Sequence, residues 1–266
     1  MKARRLPGVL ALLTAGAVAL TGCGAAPAGA AYQAIPAAAG ALAEPPPAAV
    51  TVTAPGKKLK LGAKGKAVVW MQKRLRELGY RPGRIDGRYG GTTLAAVWAF
   101  QKVNGITPTS TIGAVTWRAL ERPRLPKVLA ANGRKTRAEV NLTSQIMTLY
   151  VDGELKLISH MSSGSGVPYC ETTVWQGKEQ RFCGSATTPT GTFKTTWRRD
   201  GWHKSYLGEL YNPIFFNGGI AFHGALSVPL HPASHGCVRL PMNVAEELPG
   251  LLGTGVPVHV RGKFRR

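Results

Sequence analysis

Cys237 lies in the run Ser234-His235-Gly236-Cys237-Val238-Arg239, fourteen positions beyond His223 of the pair His223-Gly224. A cysteine attacks as its thiolate, and a neighbouring histidine is the usual means of making one near neutral pH. Thiol, glycine and two histidines in so short a stretch are equipped for covalent acyl transfer. On this reading Cys237 is the nucleophile and His223 the base, which later helps to deprotonate an incoming amine. The carbonyl of Gly224 orients the second ring nitrogen of His223, because no acid is in view. The N–H groups of Gly236 and Cys237 form an oxyanion hole. His235 shapes the turn, touches substrate or acts as a second base, and Ser234 is a turn residue. Arg239 pairs with a substrate carboxylate or pins the loop from behind. Two other readings use the same residues. One is a buried structural cysteine with two core histidines. The other is zinc held by His223, His231, His235 and Cys237. A zinc enzyme would also want a carboxylate base, and no Asp or Glu lies between Leu210 and Ala245.

The elements that must position these residues read as strands. Ile220-Ala221-Phe222-His223-Gly224 is a strand ending in a turn, a rigid platform for a base. Upstream, Ile146 to Val151 and Glu154 to Met161 flank Asp152-Gly153, a strong hairpin signal, with Val140 and Leu142 as a preceding strand. Gly191 to Thr196 and Val256 to Val260 add two more. Asn243 with Glu246 has the form of a capping box for a brief helix. Residues 137–263 therefore read as a mainly-β, sandwich-like domain with one small helix. Tyr211 and Phe216, with Gly224, Ser234 and Arg239, are the candidate substrate-binding residues; Phe215 and Trp202 are further candidates for the cleft wall.

Residues 57–122 follow a different period. Val68, Met71, Leu75 and Leu78 fall at helical spacing before Gly79. Thr92 or Thr93 is placed to cap a second helix carrying Ala96, Val97 and Phe100. A third runs from about Ala114 to Leu120 with Trp117 facing in. Tyr80, Arg81, Arg84 and Arg88 sit on the presumed loop face of this small all-α, three-helix domain. Residues 123–136 form a basic linker with Pro123 and Pro126. The chain is thus multidomain.

The amino-terminal portion is of another kind. Lys2, Arg4 and Arg5 precede an apolar stretch from Leu6 through Leu20, too short for a comfortable membrane span and patterned as an export signal, residues 1–22. Leu20-Thr21-Gly22-Cys23 resembles a bacterial lipobox, which implies cleavage before Cys23 and lipid on its sulfur; ordinary signal cleavage further on, near Ala30-Ala31, and an uncleaved anchor are the alternatives. Residues 23–56 are rich in Ala, Pro and Gly, cannot offset their ordering entropy by burial, and read as a disordered tether. Such a coil spans on the order of 30 Å. Export places the other cysteines on an oxidising side. With Cys23 lipidated and Cys237 a free thiol, a Cys170–Cys183 disulfide is expected, contributing roughly 3 kcal/mol by loop closure.

The formal net charge is +21, of which the first 22 residues carry +3, leaving +18 on the remainder. Such a surface seeks anions. An exported chain without zinc-finger or helix-turn-helix pattern points to wall polymers and anionic lipid heads, not to nucleic acid.

The catalytic motif resembles the signature of the L,D-transpeptidase (YkuD-type) domain of bacterial cell-wall enzymes. Ser162-Ser163-Gly164, Thr188-Pro189-Thr190-Gly191-Thr192-Phe193 and Tyr211-Asn212-Pro213 resemble further segments of that family. The helical segment resembles the peptidoglycan-binding three-helix domain through Leu61-Gly62, Gln72, Leu78-Gly79-Tyr80, Asp86-Gly87, Gly90, Thr93, Phe100-Gln101, Gly105 and Trp117. There are two departures. The gap between His223 and Ser234 is shorter than is usual for the family, so the loop over the site should be clipped, and Arg239 stands where many members have Asn. The resemblance implies attack by Cys237 on a tetrapeptide stem, release of the terminal D-Ala, and resolution of a thioester by a neighbouring stem amine into a 3→3 cross-link. It implies peptidoglycan stem peptides and glycan as partners, carbapenem-type inhibitors, and no metal or organic cofactor. The export signal and lipobox add a membrane lipid anchor on the outer face of the cytoplasmic membrane. L,D-carboxypeptidase, a protein-anchoring transferase and a non-catalytic wall-binding lipoprotein remain alternatives.

Overall fold

The computed structural model describes residues 52–264. The export signal, Cys23 and nearly all of the tether lie outside the described residues.

Three helices form the first part: α1 (Lys66–Glu77), α2 (Gly91–Val103) and α3 (Ala114–Glu121). The apolar faces of all three close on one core that includes Val68, Met71, Leu75, Val97, Phe100, Trp117 and Leu120. Two expectations fail here. Gly90 caps α2, and Thr93 instead lies buried inside it, donating to the Pro82 carbonyl and accepting from Gln72. Tyr80 is not on a loop face: it is 1% exposed and its ring packs edge-on against Phe100.

The second part is built from eleven strands and one helix: β1 (Arg137–Asn141), β2 (Ile146–Val151), β3 (Glu154–His160), β4 (Pro168–Trp175), β5 (Lys178–Ser185), β6 (Gly191–Lys194), β7 (Trp202–Ser205), β8 (Gly208–Asn217), β9 (Ile220–Gly224), β10 (Val238–Leu240), α4 (Met242–Leu251) and β11 (Pro257–Arg261). One sheet has the order β3-β2-β1-β11-β6, a second the order β10-β9-β8-β7, and β4-β5 stand apart as a ribbon. Alternation along the strands turns Val140, Met147, Leu149, Leu157 and Val258 of the first sheet and Ile214, Phe216, Phe222, Val238 and Leu240 of the second into one shared core, closed by Val244 and Leu248 of α4. The sandwich expectation holds. The capping box does not: Pro241 precedes α4, and the Asn243 side chain donates to the Arg81 carbonyl.

That last bond is part of a join between helices and sandwich. Arg81 forks onto both carboxylate oxygens of Glu247 (2.5 and 2.7 Å) and donates to the Lys156 carbonyl. Ile158 donates its N–H to the Gly79 carbonyl, and Ile146 and Ile158 enter the helical core. Arg81 is thus a staple between the two parts and not a surface cation awaiting a ligand.

Candidate active site

Strands β9 and β10 run parallel, with Val238 opposite Phe222, Arg239 opposite His223 and Leu240 opposite Gly224. Side chains alternate across a strand, so Phe222, Val238 and Leu240 point into the core while His223, Cys237 and Arg239 share the other face. Parallel pairing is what makes fourteen residues of chain separation into near neighbours.

His223 is 4% exposed, and its Nδ1 lies 2.9 Å from the Gly224 carbonyl oxygen. A carbonyl only accepts, so Nδ1 carries the proton and Nε2 is left with its lone pair. Burial, with the Arg239 charge beside it, holds the imidazole down at about 4. Burial also pushes the Cys237 thiol above its ordinary range, partly offset by the Ala221 backbone and by Arg239. The thiol points its S–H at the Gly219 carbonyl, 3.6 Å away. The resting pair is therefore neutral thiol and neutral imidazole, not the thiolate that the residue types suggest.

The turn before Cys237 is held by hydroxyls. Ser234 Oγ accepts from the Gly236 N–H (3.0 Å) and donates to the Cys237 carbonyl (2.5 Å). Thr188 Oγ1 donates to the Gly236 carbonyl (2.6 Å) and accepts from the Gly164 N–H (2.9 Å). Gly236 has φ +136°, and a Cβ there would meet the Thr187 carbonyl at 3.1 Å. Only glycine takes that backbone without strain. The Gly236 N–H is already engaged by Ser234, so it does not aim at an oxyanion as expected from sequence.

A cleft of about 770 Å³ opens over this face. Its lining includes His223, Ser234, His235, Cys237 and Arg239 together with Trp197, Trp202 and Phe215. Arg239 has no carboxylate within 4 Å among the described residues. Three candidate substrate contacts are misplaced. Phe216 is 3% exposed in the core, one pleat out of phase with its neighbour Phe215, which does face the cleft. Tyr211 pairs across the sheet with Gly224 and packs on the Trp202 ring, outside the cleft lining. Gly224 itself packs under α4, where a Cβ would meet Ala245 at 2.9 Å, and its contribution is the carbonyl on His223. His231 contributes only a carbonyl, which accepts from Ser162 Oγ.

The connection between His223 and Ser234 is short, yet the site is covered by another element. The β4-β5 ribbon carries the Cys170–Cys183 disulfide as a cross-strand pair. Next to it, Glu171 lies 2.7 Å from His235 Nε2, and the Tyr169 ring meets the His235 ring edge-on at 4.6 Å. His235 thus clasps the ribbon. The sequence does not announce the ribbon, because its turn, Gln176-Gly177, has both residues at positive φ without the Asn or Asp that advertises such a turn. Among the described residues no group of three or more His, Cys, Asp or Glu is arranged to hold a metal ion.

Comparison with known proteins agrees with this layout. Residues 64–120 match a peptidoglycan binding domain family, and residues 135–260 match the L,D-transpeptidase catalytic domain family. A solved L,D-transpeptidase from Xylanimonas cellulosilytica is similar at 36% identity and TM-score 0.66, over 77% of this chain and 98% of that one. An L,D-transpeptidase from Stackebrandtia nassauensis is 24% identical, TM-score 0.43, over 77% and 96%. One from Mycobacterium smegmatis is 19% identical, TM-score 0.37, over 48% and 59%. No curated protein matches the chain. A parallel strand pair with His223 in one strand and Cys237 immediately before the other, a helical domain ahead of it, and this similarity over nearly the whole of a solved relative lead to one conclusion: the chain belongs to the L,D-transpeptidase family.

Proposed function

We propose that this protein is a cell-wall L,D-transpeptidase that forms 3→3 peptidoglycan cross-links through a thioester on Cys237. The observation that carries the reading is the neutral Cys237–His223 face with unpaired Arg239 beside it at the base of the cleft. The Cys237 sulfur attacks the carbonyl of the bond joining the third stem residue to the terminal D-Ala, and the thiol proton passes to His223 Nε2. The Cys237 N–H, with the Gly236 N–H already taken, faces the developing oxyanion. The carbon–nitrogen bond breaks, and His223 returns the proton to the departing D-Ala amine. A stem amine then attacks the thioester, and its proton passes through His223 to the leaving sulfur. A thiol needs less activation than an alcohol, so a base oriented by a carbonyl suffices.

Arg239 receives the carboxylate of the donor stem. Carbapenems acylate the same thiol. The helical domain holds peptidoglycan, and the chain is exported and anchored to the outer face of the membrane by lipid on Cys23, with residues 23–56 as tether. Mass spectrometry of the membrane-extracted protein tests the anchor; an unmodified amino terminus elsewhere refutes it.

The reaction is tested by incubating the full chain with a disaccharide-tetrapeptide, with Cys237→Ala beside it, and following products by mass spectrometry. Cys237-dependent loss of D-Ala with a cross-linked dimer is the expected result. Loss of D-Ala giving only tripeptide makes the protein an L,D-carboxypeptidase. No turnover and no adduct from folded, reduced protein overturns the enzymatic reading.

A further inference from the structure

A line of hydrogen bonds crosses from the helices to the wall of the cleft. Lys102, in the last turn of α2, places its Nζ 2.9 Å from His160 Nδ1 and donates to the Gln145 carbonyl at 3.3 Å. His160 ends β3, is 1% exposed, and has its Nε2 2.9 Å from the Val228 carbonyl oxygen. A carbonyl only accepts, so Nε2 of the neutral ring carries the proton and donates to Val228, which leaves Nδ1 to accept from Lys102 Nζ. Trp98, also from α2, meets the imidazole edge-on at 5.5 Å and holds the plane of the ring.

Val228 lies in the connection 225–233 between the two halves of the active site. Ala225, Leu226 and Ser227 of that connection line the cleft. Its ends are secured from the segment after β3 and by the strands. Ala225 donates to the Leu240 carbonyl, Ser162 Oγ donates to the His231 carbonyl, and the N–H groups of Ala233 and Ser234 donate to the Ser163 carbonyl. The tie at its middle is His160.

Withdrawing an amine and an imidazole from water together is costly, and an apolar pair of similar volume would pack the same interface without that cost. Desolvation lowers the Lys102 amine to about 7 and the His160 imidazole to about 3. What the polar pair supplies, and an apolar one does not, is a directed bond to the Val228 carbonyl. His223 and Cys237 do not depend on it, since β9 and β10 hold them through the sheet.

We propose that Lys102 is a positioning residue: acting through His160, it fixes the Val228 segment, so that the helical domain sets the shape of one wall of the cleft. This rests on the reading of that cleft as the donor-stem site. The helical domain then shapes the donor cleft as well as serving as a wall-binding module.

The test compares Lys102→Met, Lys102→Arg and His160→Phe with the parent, all as full chains. Amide exchange is followed by mass spectrometry in residues 225–233, with β9 and β10 as internal reference. Steady-state turnover of a disaccharide-tetrapeptide donor and alkylation of Cys237 by iodoacetamide are measured beside it. In Lys102→Met, exchange in 225–233 accelerates about tenfold, the loss of one buried hydrogen bond. KM for the donor rises by about tenfold, kcat stays within about twofold, and the alkylation rate does not change. Lys102→Arg, which keeps a donor toward His160, retains most of the protection. His160→Phe, which keeps the ring on Trp98 and removes both bonds, reproduces the local acceleration even if Lys102→Met does not fold. Unchanged exchange in 225–233, or acceleration of equal size in β9 and β10, overturns the proposal. A parent that turns over no donor overturns the functional reading instead, and the exchange comparison still decides whether Lys102 holds the wall.

Discussion

His223 donates its Nδ1 proton to the carbonyl of Gly224, its own successor in the chain, at 2.9 Å. The orienting group of the base is therefore backbone, and it carries no negative charge. An imidazolium formed during reaction gains less here than beside a carboxylate, and the resting thiol keeps its proton. Iodoacetamide alkylation of Cys237 in the free protein should then climb through an alkaline limb above the ordinary thiol range. A plateau of full reactivity at pH 6 to 7 would mean a resting ion pair and contradict this arrangement.

Acid stability should report the same burial. His223 sits at about 4 in the folded protein, against an ordinary value near 6.5 once unfolded. Between those limits the unfolded chain binds the proton and the folded chain does not, so the His223 contribution to stability is complete above about pH 6.5 and is lost as pH drops toward 4. The contribution lost is about 3 kcal/mol. Urea unfolding at a series of pH values should show that slope added to the one from buried His160, and His223→Asn should remove its own share while the His160 share remains. An unchanged slope in the variant would assign the acid sensitivity elsewhere.

Thr188 holds two backbone groups with one hydroxyl, the Gly236 carbonyl and the Gly164 N–H. Thr188→Val keeps the shape and leaves both without that partner. The expected cost is about 2 kcal/mol in unfolding free energy, with a fall in turnover larger than the stability loss explains at saturating temperature control. Equal unfolding midpoints for variant and parent would show that the turn does not rely on Thr188.

The Glu171–His235 contact is half-open to water. Glu171→Gln should change stability by less than about 1 kcal/mol. Its effect belongs to the ribbon: amide exchange in residues 168–185 should quicken, and KM for the donor should rise, because the cover over the cleft is less often in place. The same variant with Cys170–Cys183 reduced should exchange faster still. If neither segment protection nor KM moves, the ribbon is held without this contact.

How far the chain's chemistry was legible differs by residue. Phe215 and Phe216 are adjacent aromatics of the same type, and which of them meets the cleft is a matter of strand phase. Neighbouring bulges in β8 reset that phase, so alternation counted from Tyr211 does not carry through. Thr93 and Asn243 have the residue type of helix caps, but their side chains find partners across the tertiary structure, with Gln72 and Pro82 for one and Arg81 for the other. Tyr80 and Arg81 look like surface residues until the sandwich arrives against them.

The sequence by itself determined the order of the parts, a helical module ahead of a β sandwich, because the 3.6 and 2-residue apolar periods are local properties of the chain. It also determined the candidate chemistry, since the thiol and imidazole are carried in a short motif, and the orienting carbonyl belongs to the base's next residue. Only the tertiary structure decided the protonation of that pair, because burial and the charge of Arg239 depend on what packs around them. It alone brought Glu171 to His235 and Lys102 to His160, residues 64 and 58 positions apart. Long-range pairings of this kind are set by how sheets and helices stack, and no local pattern records them.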